Sequence, residues 1–464
     1  MSRFCPVYPK PLKNKASLLS MFLRGRRSWL DVLFERSYRM KMGHSKLPGL
    51  DLYMINEPAL VRKVLIEQAE KFPKHQLLGQ ILEPLLGESI FTTNGEVWKR
   101  QRRMLDPSFE QARLKTVFPL MNAAAVAMQQ RLDALTDGAV HDVDIEMTHV
   151  TADIIFRTIL SSPLEGDDAR KIFDAFVRFQ AMAPRIVLPI IYRLPAWLTS
   201  WFESRQGKRA AKEIRGLLER FIRERYDAHQ RGDAPAHQDI LASLLNAVDE
   251  ESGTGFDFDE LVDQVAMLFL AGHETSASAL TWALYLIAMS PDIQERMHAE
   301  ARAVLGERDP EFSDIKAMDF IWNVFRETLR LYPPVGFFAR EASETQQMRD
   351  KTVQAGSTVI IAPWLIQRHR DLWERPDEFD PDRYAGDSAK ESLKCAYLPF
   401  SLGPRVCMGA AFAMQEAVLI LARLVRRYRF VALPGQKPRP VGRLTIRSEN
   451  GMRLAVHKRA DFTK

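Results

Sequence analysis

The residues most able to do chemistry sit in Phe400-Ser401-Leu402-Gly403-Pro404-Arg405-Val406-Cys407-Met408-Gly409, a turn-rich stretch that runs straight into the apolar segment 410–428. Two glycines and a proline bend it tightly, and the helix expected from residue 410 directs the positive end of its dipole at Cys407. Such surroundings favour a thiolate, and backbone amides freed by the bend can donate to its sulfur. A lone thiolate with no second Cys or His beside it cannot build a tetrahedral zinc site. It can supply one bond to a metal that something else already holds. A buried structural cysteine ahead of a helix is the competing reading.

Three further patterns carry reactive side chains. Ala271-Gly272-His273-Glu274-Thr275 places an acid and a hydroxyl in the middle of an apolar run, beside small residues that let a flat cofactor or a dioxygen molecule approach the backbone. Burying an acid is costly unless it has a partner or a task, which favours function over a tolerated polar strip. Trp98 and Arg102, at i,i+4, put an indole donor and a guanidinium on one helix face. Both suit a carboxylate, although a packed Trp under a solvated Arg has the same spacing. Glu327 and Arg330 also share a face, and alone would read as an ordinary ion pair.

The spacing Phe400-x-x-Gly403-x-Arg405-x-Cys407-x-Gly409 resembles that of the cytochrome P450 haem-thiolate monooxygenases, in which a cysteine thiolate holds haem iron and pushes electron density toward oxygen–oxygen cleavage. The 271–275 run, Glu327-x-x-Arg330 with Leu331-Tyr332-Pro333-Pro334, and Phe379-Asp380-Pro381-Asp382-Arg383-Tyr384 extend the resemblance over about residues 50–456. It implies a soluble, bacterial-type member with a mainly α P450 fold: one large helical domain over 1–464, small β-sheets, and a haem b between the long central helix and the cysteine loop. Cys407 would be the axial iron ligand. Trp98, Arg102, Arg340 and Arg405 would anchor the haem propionates, with Phe400 and Gly272 as further cofactor contacts. Thr275 and Glu274 would relay protons, the Glu standing where many members carry Asp. Glu327, Arg330 and Arg383 would form a buried network holding the cysteine-side scaffold.

The elements that must position these groups can be read in outline. At 464 residues, with no long Pro/Gly/Ser-rich linker, one large domain is expected. Hydrophobic residues at 46% and charged residues at 27% describe a soluble globular chain. Cys5, Cys395 and Cys407 are odd in number and far apart, which argues against a disulfide framework and for the cytoplasm. A net charge of +6, spread along the chain, argues against nucleic acid as a partner. Residues 1–45 read as a basic segment with a first helix; the uncharged run 16–23 is too short to span a bilayer, leaving peripheral membrane contact open. Residues 52–55 suggest a strand, followed by a helix opening at Pro58. Asn94 should cap the Trp98 helix, which Asp106-Pro107 ends. Asp257 and Glu260 form a capping box for a long helix over 257–290, roughly fifty ångström at the standard rise, which Pro291 stops. Residues 352–361, with Gly356 at the centre, read as a hairpin. Beyond the helix 410–428, strands are expected at Thr445-Ile446 and at 454–456.

Residues 72–91, 173–202 and 335–339 are apolar with few charges and would wall a cavity, Pro184, Pro189 and Pro195 dividing the middle segment into two helices and a loop. A lipophilic substrate follows, such as a fatty acyl chain or a terpenoid. The resemblance implies that O2 is split reductively, one oxygen entering a C–H bond or a C=C bond and the other leaving as water. With no Gly-rich dinucleotide fingerprint, electrons should come from a ferredoxin or flavodoxin type donor with its reductase. Lys99, Arg103, Arg423, Arg426 and Arg427 would form the basic patch that steers it. A peroxide-dependent fatty-acid peroxygenase, a hydroperoxide-rearranging enzyme and a haem-binding carrier or sensor are the competing classes. None of them needs a proton relay, so the pair Glu274-Thr275 argues against them.

Overall fold

The computed structural model describes residues 4–460 apart from 14–15, 48–49, 165–169, 172, 177, 180–202, 235–236 and 387–388. Its main helices are α1 (Leu18–Gly25), α2 (Gln76–Leu86), α3 (Gly95–Leu105), α4 (Gln111–Asp133), α5 (Val143–Leu160), α6 (Glu203–Gln230), α7 (Phe258–Ala288), α8 (Pro291–Leu305), α9 (Asp319–Leu331) and α10 (Ala410–Arg427). The strands are β1 (Met42–Leu47), β2 (Leu50–Ile55), β3 (Ala139–Asp142), β4 (Phe338–Glu341), β5 (Gln346–Met348), β6 (Lys351–Val353), β7 (Thr358–Ile361), β8 (Tyr428–Ala432), β9 (Pro440–Gly442), β10 (Ile446–Ser448) and β11 (Arg453–Lys458). They form small sheets in the orders β1-β2-β7-β4, β3-β11-β8, β9-β10 and β5-β6.

Everything packs around α7. Its capping box forms as expected: Asp257 accepts from the Glu260 amide, and the Glu260 carboxylate accepts from the Asp257 amide. From residue 261 to 288 every position is buried except Ala271, Gly272 and Thr275. A helix apolar on all sides belongs inside the protein, and α5, α6, α2, α9 and α10 all lie against it. The second core helix is α10, whose inner positions from Ala417 to Leu421 are at most 1% exposed.

Some expectations need correction. Gly356 does turn the chain, at φ 80°, but its two arms part: β6 pairs with β5, while β7 lies between β2 and β4. The turn is held by the Gly356 amide donating to the Ala342 carbonyl and the Ala342 amide to that of Ser357, so β7 is drawn to the β4 side. Residues 72–91 hold a regular helix, and Phe72, Leu82, Leu85, Leu86 and Ile90 are fully buried core. Asn94 stands at the N-cap of α3 without capping it; its side-chain amide exchanges hydrogen bonds with the backbone of Lys74, and its oxygen also accepts one from the Arg405 guanidinium. Of the apolar segment 173–202, Phe173, Phe176 and Phe179 pack inward, and 180–202 lie outside the described residues.

The network expected at Glu327 is present. Its carboxylate, wholly buried, accepts from Arg330 (2.8 and 2.9 Å), Arg383 (2.9 Å), the Tyr384 hydroxyl (2.9 Å) and the Asp380 amide (3.0 Å). Arg330 also donates to the carbonyls of Gln367, Pro376 and Glu378, tying α9 to the loop 367–380. Burial alone would lift the Glu327 pKa, but the two guanidiniums hold it below the usual carboxylate range. Glu327→Gln keeps the shape and removes the charge that answers two buried cations. The loss of folding stability should be about 3–5 kcal/mol in urea unfolding. A loss below about 1 kcal/mol, the value of an exposed pair, would contradict this reading.

Candidate functional site

The cysteine loop is held in a shape few residues could share. Gly403 lies at φ 73°, and a Cβ there would collide with the Leu65 carbonyl. Ser401 takes φ 65° without being glycine, and its hydroxyl is buried with no partner among the described residues. The Cys407 amide donates to the Phe400 carbonyl at 2.9 Å, closing the loop, and the Ser401 amide donates to Leu398. Leu398 in turn donates its amide to the Gln367 side chain, whose amide group binds the carbonyls of Leu329 and Arg330. An unbroken path of hydrogen bonds therefore runs from Glu327 to Cys407.

Cys407 is open at its surface yet enclosed by protein on the wider scale. That burial raises its thiol pKa; the Gly409 amide at the start of α10 and the charge of Arg102 oppose the rise without overcoming it. The protein surroundings alone thus do not favour a thiolate, against expectation.

Arg102 is engaged beside the cysteine loop. Its Nε donates to Asp106 and its second nitrogen to the Val406 carbonyl, both at 2.7 Å, clamping the residue next to the cysteine. Trp98 is buried with the Arg405 guanidinium stacked 4.1 Å from its ring centre. Arg405 donates to Asn94, and Arg340 to the Ala339 carbonyl. Burial depresses both guanidiniums to about 10, and the charge of Arg340 adds to the effect on Arg405. Neither shows an ion pair with a carboxylate among the described residues. A fourth cation, missed in the sequence, joins them: Lys74, bridged to Arg340 through the backbone, donates to the carbonyls of Ile90 and Phe91. Its pKa lies well below the usual lysine value, chiefly through burial and then the charges of Arg405, Arg340 and Arg102. No local signal marks it, since Lys74 stands among Lys71, His75 and Gln76 in the sequence. Like charges gathered in a buried place destabilise the chain unless an anion joins them.

On α7 the residues separate by face. Ala271 and Thr275, one turn apart, are accessible, and the Thr275 hydroxyl donates to the Ala271 carbonyl at 2.8 Å. Gly272, also partly accessible, admits the close approach of α5: a Cβ there would stand 2.5 Å from the Ile155 side chain. Glu274 is buried and fully engaged, accepting from Thr445 (2.6 Å) and Arg447 (3.0 Å). Burial pushes its pKa up, but Arg447 and its other partners bring it below the usual range, so it is ionised. The expected basic patch is also not formed. Arg423 and Arg426 are buried and bonded inside the protein, while Lys99 pairs with Glu70 and Glu96, and Arg103 with Asp249 and Glu251.

Buried cations short of acids, a bent loop offering one sulfur and a strip of small accessible residues together fit a planar dianion carrying a metal. The Cytochrome P450 family profile matches residues 15–452. Cyclooctatin synthase of Streptomyces melanosporofaciens is 33% identical over 398 residues, covering 85% of this chain and 84% of that protein. Cyclooctat-9-en-7-ol 5-monooxygenase of the same organism is 32% identical, covering 82% and 81%, and a cytokinin hydroxylase of Arabidopsis thaliana is 30% identical, covering 87% and 78%. The chain belongs to the cytochrome P450 family. It is a haem-thiolate monooxygenase.

An uncompensated cation that serves a ligand destabilises the protein without it. Arg340→Leu should therefore stabilise the haem-free chain by about 1–4 kcal/mol in urea unfolding while speeding haem loss to an acceptor globin. Equal haem retention in the variant would remove Arg340 from the anchor.

Proposed function

We propose that the protein hydroxylates a lipophilic, ring-bearing substrate of terpenoid kind, with Cys407 as the iron ligand and Arg340, Arg405, Lys74 and Trp98 holding the haem propionates. When bound, the haem supplies reductive cleavage of O2 and delivery of one oxygen to a C–H bond. The observation that carries this reading is the accessible strip of Ala271, Gly272 and Thr275 on a helix otherwise buried from 261 to 288. Val335, Phe337, Phe338 and Ala339 are the accompanying partly accessible apolar positions. Two relatives whose names refer to cyclooctatin and to an unsaturated alcohol support a cyclic alkene-type skeleton. Lipophilic terpenoids and small polar compounds can be titrated against the haem absorption band; a shift with the polar compounds alone would refute the substrate class.

The chain's own residues divide the labour. Arg102 keeps Val406, and with it Cys407, in place. The buried apolar flanks of α7 exclude bulk water, so protons must travel by fixed groups. Thr275 Oγ1 is the group placed to move one, working with ordered water rather than with Glu274, which Arg447 holds as an ion. Thr275→Ala should leave haem content and carbon monoxide binding nearly intact while product per reductant falls and hydrogen peroxide rises. Full coupling in the variant would reduce Thr275 to a packing residue. Glu274→Gln, by contrast, should act first on stability, through Arg447.

Electrons come from a separate ferredoxin or flavodoxin type donor with its reductase, and the three free cysteines suit the reducing cytoplasm. No described helix is long and apolar enough to cross a membrane. Because Lys99 and Arg103 are already paired with the chain's own acids, reduction by the donor should change by less than roughly an order of magnitude between low and high salt. A steep fall with salt would restore a steering patch.

A further inference from the structure

Two glycines far apart in the sequence leave room for the same side chain from near the start of the chain. A Cβ on Gly336 or on Gly442 would collide with the indole of Trp29. Neither glycine has a positive φ, so it is the close approach of the ring that excludes a side chain there. Trp29 opens a short turn, Trp29–Val32, and the residues around it are tied to the β9-β10 hairpin at three points. The buried Ser28 hydroxyl accepts from the Gly442 amide at 2.9 Å. Asp31 pairs with Arg439 at 2.5 Å, and Arg27 with Glu449 at 2.6 Å.

The hairpin is in turn fixed to α7. The Ile446 carbonyl accepts from the Ser278 hydroxyl at 2.7 Å and the Trp282 indole at 2.9 Å, and Thr445 donates to Glu274. The Ile446 amide donates to the Pro334 carbonyl at 3.0 Å, so the segment leading into 335–339 hangs from the same hairpin. Trp29 fills the contact between these two segments, and its ring meets that of Phe337 edge-on, with centroids 5.3 Å apart and planes at 84°. Phe337 is partly accessible, as are its neighbours Val335 and Phe338. In an interior packed this closely, a rigid ring behind a wall residue decides how far that residue leans inward. A smaller residue in its place leaves space into which the wall can relax.

We propose that Trp29 is a positioning residue for specificity: held against the β9-β10 hairpin, it backs Phe337 and sets the width of the ligand cavity on the 335–339 side. It thereby fixes the largest ring system the cavity admits. This rests on the reading of 335–339 as cavity wall above a haem, and not on the terpenoid class of the substrate. The two glycines belong to the same device, since each gives the indole the space in which it is held.

The ferric holoenzyme can be titrated with imidazole, phenylimidazole and biphenylyl-imidazole, whose nitrogen binds haem iron and moves the absorption band whatever the natural substrate is. Trp29→Ala should tighten the biphenylyl compound about tenfold relative to imidazole, and Trp29→Phe should do so by less. Gly442→Ala sets a methyl against the indole and should shift the same ratio severalfold toward imidazole. In the Trp29→Ala background that shift should vanish, because the methyl then has no ring to displace. A hairpin that is merely loosened gives no such dependence on the indole. Trp29→Phe carries the test should Trp29→Ala not fold. Haem content and the carbon monoxide band, read on the same samples, separate failure of the haem assignment from failure of this inference. With that band intact, a ratio unchanged in both Trp29 variants would overturn the positioning role, as would a Gly442→Ala shift that persists without the indole.

Discussion

A metal ligand contributed by a single side chain is only as well placed as the backbone beneath it, and here that backbone hangs on one buried carboxylate. Glu327 gathers two guanidiniums, a phenol and an amide with no water to share the load. Arg330 passes the constraint to Gln367, Gln367 to Leu398, and the loop closes at the Phe400 carbonyl on the Cys407 amide. Arg102 clamps the other side of the cysteine through Val406. Neither residue touches the chemistry, yet each removes a direction in which the sulfur could move.

The charges of the interior fall into kinds that show what each is for. Glu327 and Glu274 are fully paired, which offsets the cost of burying their charge. Lys74, Arg340 and Arg405 lie near one another with carbonyls and an amide for company, an arrangement that an anion bound among them would stabilise. The pairing pattern, more than the residue types, separates scaffold from site.

Much of the frame was legible in the sequence because it depends on local signals. The capping box of Asp257 and Glu260 located α7, Asp106-Pro107 the end of α3, and the Gly403 and Gly409 pattern the cysteine loop. What could not be read were partnerships fixed by the tertiary fold. The pairing of Glu274 could not be foreseen because its partner Arg447 lies on a strand far along the chain. The packing reason for Gly272 could not be read because the side chain it admits, Ile155, belongs to another helix. Arg423 and Arg426 resembled a surface patch because helical spacing alone does not say which face is buried, and Lys74, beside Lys71, His75 and Gln76, looked like one more solvated charge.

All of this converges on the claim that Cys407 is the thiolate ligand of a haem seated against buried cations. The direct measurement is the absorption of the reduced protein under carbon monoxide, for the wild type and for Cys407→Ser with its haem content matched. The wild type should show the strongly red-shifted band of thiolate ligation, and the serine variant should lose it while still binding haem. A red-shifted band that survives in Cys407→Ser, or one absent from a wild type with a full complement of haem, would contradict the account.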